Sequence, residues 1–284
     1  MDRKRALLNE IYSEKFLSNW VTPHTIFTSR RKINQSVERL FFHCLHGIQK
    51  PQISVGDVGT YYGATLFYLL SKTMSHPIDY TGYDIDPTKL DYAKSYRKQL
   101  INKHLQQRLF FSQHNIEKTP LPNKHDVLLC VETIEHVHDV QRSLQHMFDS
   151  LQPSGFLIIS TPNKQNLLKY LIPFRKNVKH HVEHDDHAKG GDDIADKLFN
   201  ATISDLDGDK HWSVMSLREI KQALHATGFR IRKIQRGPLI YGGTFFDNHP
   251  LLTSLATVFD ELLNFLPFTN RITFDFIILD QKPL

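Results

Sequence analysis

"QISVGDVGTYYGATLFYLL", Gln52 to Leu70, decides the reading of the fold. A short apolar run ends in glycine, a loop holding Gly59 and Gly63 follows, and an apolar helical pattern opens at Ala64. Strand, glycine loop and helix in that order form a βα unit. The two glycines leave room for a ligand at the backbone, in front of a helix N-terminus that favours negative charge. Many βα turns carry two glycines, so the later strand ends must supply the rest.

"IDYTGYDID" (Ile78–Asp86) reads as a second strand that ends in acids. A carboxylate at Asp84 can accept both hydroxyls of a ribose. Asp86, followed by Pro87, is better explained as the cap of the next helix, "PTKLDYAKSYRKQLINKH". "RLFFSQHN" is a third strand, ending at Asn115, which is either a plain turn residue or a partner for an adenine amino group. "HDVLLCVE" is a fourth, and a helix, "DVQRSLQHMFDSL", is closed by "QPSG". "GFLIISTPN" is a fifth. A helix, "SLREIKQALHATGF", capped by Ser216 and stopped by Gly228, precedes "RIRKIQRG" and "RITFDFIILDQK". This alternation predicts an α/β fold with helices on both faces of a mostly parallel sheet, its ligands at the carboxyl ends of the strands.

In this order the pieces resemble the class I S-adenosylmethionine-dependent methyltransferases, from about Gln52 to the end of the chain. "VGDVGTYYG" resembles their first motif and "GYDID" their second. "LQPSGFLIISTPN" is similar to their turn and fifth strand, with Ser154 in place of a glycine. The resemblance implies a Rossmann-like sheet of seven strands with an antiparallel last strand, and S-adenosylmethionine as cofactor. Asp57 would orient the methionyl amine through the loop, Asp84 would hold the ribose, and Asn115 would read adenine. Gly59, Thr60, Gly63, Ile85, Ile116, Val131 and Glu132 would complete the cofactor cleft. Tyr61 departs from the pattern, standing where the family commonly has a glycine; its ring is expected to point away while its backbone meets the cofactor.

"CVETIEHVHD" (Cys130–Asp139) places Glu132, Glu135 and His136 within five positions, with a helix expected to start near Thr133. Within the family this loop borders the methionyl end, so helix start and cleft wall is the plain reading. His136 is the favoured base, because neutral imidazole titrates near pH 6.5. His211 is the second catalytic candidate, ahead of His180, His181, His184 and His187. No metal is favoured. The alternative comes from a resemblance to small-RNA 2′-O-methyltransferases, which implies a divalent metal held by Glu132, Glu135, His136 and His211 and makes RNA a partner. Two carboxylates and two imidazoles suit Mg, Mn or Co.

Composition narrows the class without choosing the acceptor. Of 284 residues 40% are hydrophobic and 23% charged, which is globular, and a formal net charge of +5 allows but does not demand an acidic partner. Cys44 and Cys130, the only cysteines, lie in apolar patterns and read as buried thiols in a reducing compartment. No run approaches the ~20 apolar residues of a membrane span, and a cytoplasmic location is expected. Residues 1–48 read as an N-terminal helical cap. Residues 49–284 read as the methyltransferase domain, with a polar His/Asp-rich lid at 176–210 and an extra helix at 250–266. The apolar stripe of that helix, Leu251, Leu252, Leu255, Phe259, Leu262, Leu263 and Leu266, is expected to pack on the sheet or cleft rather than face a membrane or partner. The expected activity is methylation of an oxygen (less readily a nitrogen) of a small metabolite, sugar or lipid-linked intermediate. A catalytically silent cofactor-binding module is the non-enzymatic alternative. The oligomeric state is left open.

Overall fold

A computed structural model describes residues 29–100, 103–165, 211–237, 250–263, 269, 273 and 275–284. The lid at 176–210 with its histidines, any helix before Ser29, and the end of the extra helix lie outside these residues. In chain order the elements are α1 (Ser29–Gly47), β1 (Ile53–Val58), α2 (Ala64–Lys72), β2 (Ile78–Asp84), α3 (Pro87–Gln99), α4 (Lys103–Gln106), β3 (Leu109–Gln113) and β4 (His125–Val131). They continue with a single 3₁₀ turn (Ile134–His136), α5 (Val140–Asp149), β5 (Leu151–Pro162), α6 (Leu217–Thr227), β6 (Arg230–Arg236), α7 (Pro250–Leu263) and β7 (Asp275–Gln281).

The seven strands form one sheet in the order β3-β2-β1-β4-β5-β7-β6. β1 through β5 pair in parallel, and β7 runs antiparallel to both β5 and β6. The mostly parallel sheet with an antiparallel last strand is therefore observed. β4 shows why: Val127 and Leu129 join one core with Val37, Phe41 and Leu66, while Leu128 and Cys130 join a second with Leu144, Ile220 and Leu224. A strand buried on both faces needs helices on both sides. The carboxyl ends of β1, β2, β4, β5 and β6 share one edge with the start of β7.

Local chemistry sets the element ends. Asp86 accepts from the N–H groups of Thr88 and Lys89, with Pro87 opening α3. Ser216 and Glu219 form a reciprocal capping box on α6, which Gly228 closes at φ 98°.

Three expectations are corrected. The helix expected from Pro87 to His104 is two, because Leu100 turns extended and is buried, and the Gln106 amide donates to the carbonyls of Lys98 and Leu100. "QPSG" belongs to β5 rather than to a turn closing α5. Leu151 already pairs with His125, the register then shifts, and Ser154 takes the bulged left-handed position at φ 61°. Finally, α7 leaves much of its apolar stripe unburied: Leu251, Leu255, Phe259 and Leu262 are exposed, with Val258 beside them, Leu263 is half-buried and Asp260 wholly buried, while the side chains of Leu252 and Leu266 lie outside the described residues.

Candidate active site

The carboxyl edge gathers the sequence candidates from four strands. In the β1–α2 loop, the N–H groups of Gly59 and Thr60 donate to the Tyr83 carbonyl at 2.8 and 3.0 Å. Gly59 is required there: its φ is 72°, and a Cβ would meet the Thr133 side chain at 2.3 Å. Thr133 was not weighed from the sequence, and it locks the loop after β4 against the loop after β1.

Asp84 at the end of β2 is half-buried, its Oδ2 accepting from Tyr61 N–H at 2.7 Å and its Oδ1 from Asp86 N–H at 3.0 Å. Each oxygen keeps a lone pair for a further donor, as a ribose would require. Burial raises its carboxyl to about 6 against the pull of these amides. Asp57, 2% exposed, is raised to about 7, chiefly by burial. Tyr61 sits at φ 54° with its ring exposed, edge-on to Tyr62 and under the Lys89 ammonium. The ring is thus on the surface, while the backbone N–H is spent on Asp84.

Asn115 uses its side-chain oxygen in a turn, accepting from Glu117 N–H at 2.9 Å, so one lone pair remains for an adenine amino group. Ile116 is buried beside it, and Ile85 is held through its carbonyl by the Gln113 amide. Glu117 bridges onward, since its carboxylate accepts from the N–H groups of His138 and Asp139.

After Val131, Glu132 adopts φ 51° and turns its carboxylate back onto the sheet, where Oε1 accepts from Ser160 Oγ at 2.6 Å. The helix expected near Thr133 is only the 3₁₀ turn, and α5 waits until Asp139 can cap it. Glu135 and His136 therefore ride a tight turn. Glu135 is 1% exposed, its Oε2 has no hydrogen-bond partner among the described residues, and burial followed by the Glu132 charge raises its carboxyl well above the usual range. His136 Nε2 lies 4.0 Å from Glu135 Oε1.

His211 arrives from 75 residues away in sequence and meets His136 edge to face, ring centroids 4.9 Å apart. Ser213 makes the meeting possible, its N–H donating to the Glu135 carbonyl and its hydroxyl to that of Val137. Among the described residues, the ligand atoms of Glu135, His136 and His211 lie within 4.8 Å of one another. Glu132, the fourth member of the metal alternative, is not in this group. Its carboxylate is engaged by Ser160 instead. Ser160, Ser213 and Glu117 were not found from the sequence, since isolated hydroxyls and acids in loops carry no periodic signal.

Residues 27–234 match a family described as methyltransferase domain. The chain belongs to that family. The methyltransferase is 27% identical over 156 residues to a ubiquinone biosynthesis O-methyltransferase from Rickettsia akari, covering 53% of this chain and 58% of that protein. It thus spans little more than half the length of this curated relative. Among solved structures, the Synechocystis magnesium protoporphyrin IX methyltransferase with bound SAH superposes at a TM-score of 0.53 and 13% identity, covering 98% of this chain and 99% of that one. A sarcosine dimethylglycine methyltransferase described from Galdieria sulphuraria gives 0.55 and 14%, with 89% and 86% covered. At such identity these two establish the fold, a class I Rossmann-like methyltransferase fold. No helix among the described residues is long and apolar enough to cross a membrane.

Proposed function

We propose that the methyltransferase transfers a methyl group from S-adenosylmethionine to an oxygen of a small metabolite, sugar or lipid-linked intermediate in the cytoplasm. The observation that carries this reading is the His136–His211 imidazole pair, 4.9 Å apart beside the Val131–Glu132 strand end. Cofactor binding is supported by the two oriented oxygens of Asp84, the buried Asp57, and a β1–α2 loop that turns through Gly59 and Gly63 at positive φ, where Thr133 and Phe111 leave no room for a Cβ. What S-adenosylmethionine supplies when bound is a methyl already activated on a sulfonium.

The chain's own work is alignment and proton removal. Asp84 takes the ribose hydroxyls, Asp57 acts through the loop on the amine, and Asn115 with Ile116 borders adenine. His136 receives the proton of the acceptor hydroxyl, and His211 stacks against its ring. Acceptor choice is assigned to the cap at 1–48, the lid at 176–210 and residues 238–268. The relatives named for ubiquinone biosynthesis support an acceptor with a lipid-linked part. Turnover by the purified protein on phenolic and sugar hydroxyl acceptors tests the reading, and cofactor binding without transfer across such a panel would overturn it.

A second reading has one specific observation behind it, the Glu135–His136–His211 group with its orphaned buried carboxylate oxygen. These three would hold a divalent cation of the Mg, Mn or Co kind, which supplies Lewis-acid polarisation of an acceptor oxygen. The acceptor then moves towards an RNA 3′ end. Loss of activity in chelator, restored by Mn or Mg, favours this reading over the first.

A further inference from the structure

Tyr61 needs a hold that a glycine would not. It sits at φ 54° between Gly59 at φ 72° and Gly63 at φ 80°, the one non-glycine among the three residues that take the β1–α2 loop through the left-handed region. That conformation is uphill for a residue with a Cβ. It is from this conformation that the Tyr61 N–H reaches Asp84 Oδ2 at 2.7 Å. The ring is exposed, so burial in a core does not offset the strain. What offsets it is Lys89. The Lys89 ammonium lies 4.7 Å from the centroid of the Tyr61 ring and 5.0 Å from that of Tyr62, and it donates to the Tyr62 hydroxyl at 3.1 Å. The two tyrosine rings meet edge to face with centroids 4.1 Å apart, and Tyr92, one turn further along α3, closes on Tyr62 at 5.6 Å.

Helix formation does not explain a lysine at this position. Lys89 stands in the first turn of α3, where the helix dipole disfavours a cation, and it is half-buried. Its backbone is fixed from the other side. Asp86 Oδ1 accepts from the N–H groups of Thr88 and Lys89, and the Asp86 N–H donates to Asp84 Oδ1 at 3.0 Å. A closed circuit results. It runs from Asp84 Oδ2 to the Tyr61 N–H, through the Tyr61 ring to the Lys89 ammonium, back by the Lys89 N–H to Asp86, and from the Asp86 N–H to Asp84 Oδ1. Each Asp84 oxygen is thus set from one end of the circuit. An ammonium over aromatic rings is weak beside the stability of a whole fold, yet it is of the same order as the strain of one left-handed residue. Removing it opens the circuit where the loop is strained.

We propose that Lys89 is a positioning residue for the cofactor, holding the β1–α2 loop in its left-handed turn through the Tyr61 and Tyr62 rings. This rests on the reading of that loop and of Asp84 as the S-adenosylmethionine cleft. Two measurements test it. In the cofactor-free protein, hydrogen exchange over residues 59–63 reads the hold itself. Lys89→Met should speed exchange of the Tyr61 amide by about three- to tenfold, and Lys89→Arg, which keeps a cation over the rings, should keep the parent's rate. In titration calorimetry, Lys89→Met should weaken S-adenosylmethionine binding by a similar factor, and Lys89→Arg should again match the parent. In a Tyr61→Gly background the left-handed turn needs no hold, so there Lys89→Met should change affinity by less than about twofold. A lysine that merely supports the fold would cost as much in that background as in the parent. Exchange unchanged by Lys89→Met would overturn the proposal, as would an equal loss of affinity with and without the Tyr61 side chain. So would a loss that Lys89→Arg shares. A parent that binds no S-adenosylmethionine would sink the proposed function, and exchange at the Tyr61 amide would still decide whether Lys89 holds the loop.

Discussion

The backbone N–H of Tyr61 donates to Asp84 Oδ2 at 2.7 Å, so the residue that departs from the family's glycine pattern holds the carboxylate of the next strand. It does so in the left-handed region, which costs a non-glycine residue about 1–2 kcal/mol. The loop and the Asp84 carboxylate are thus one unit. Asp84→Ala should keep the fold and weaken S-adenosylmethionine binding at least tenfold, since hydrogen bonds to a charged group are worth about 1.5–3 kcal/mol each. Titration calorimetry checks it, and an unchanged dissociation constant would remove Asp84 from the ribose.

Cofactor binding should release protons. Burial holds Asp57 near 7 and Asp84 near 6, so around pH 6 the free protein keeps protons that an ionised carboxylate beside a cationic ligand would lose. Affinity should therefore rise with pH through roughly 6 to 7 and then level off. Calorimetry near pH 6.5 in two buffers of different ionisation enthalpy should return different apparent enthalpies. Equal values would contradict the linkage.

Asp280 predicts how stability depends on pH. It is wholly buried in β7, neither carboxylate oxygen has a hydrogen-bond partner among the described residues, and burial raises it to about 8. The folded state then holds a proton that the unfolded chain, titrating near 3.8, has lost. Stability from this group is full below about pH 4 and falls as pH rises towards 8, by up to about 1.4 kcal/mol per pH unit. Asp280→Leu, opposite Leu157 and Ile231, should flatten that slope and raise the melting temperature at pH 8. A lower melting temperature at pH 8 would show the carboxyl to be structurally needed.

If His136 takes the acceptor's proton, His136→Ala should lower turnover by about 10²–10⁴-fold with cofactor affinity nearly intact, and chelators should leave the parent active. A loss under about tenfold would assign the step to alignment alone.

The sheet was legible because its punctuation is local: Gly59, Asp84 and the Asp86–Pro87 cap each lie within a few residues of the element they end. β5 was misjudged at its start because Gln152–Gly155 has turn composition, whereas its pairing depends on His125, 26 residues upstream of Leu151. The sequence supplied His136 and His211 separately. Their contact depends on Ser213, whose two hydrogen bonds no spacing rule announces. For α7 the apolar period was plain, but a period names a face without saying which way it looks. The buried Arg236–Asp260 pair decides that.

Cys44 and Cys130 are free and wholly buried, with the Cys44 thiol pushed to about 12 and that of Cys130 well above its usual range, both by burial. Thiolate is the reactive form, so neither should meet a maleimide in the folded protein. The natural chain is therefore a dark background for site-specific labelling: one cysteine introduced at Leu255 would carry the only accessible thiol, and an environment-sensitive dye there would report directly on what that helix touches.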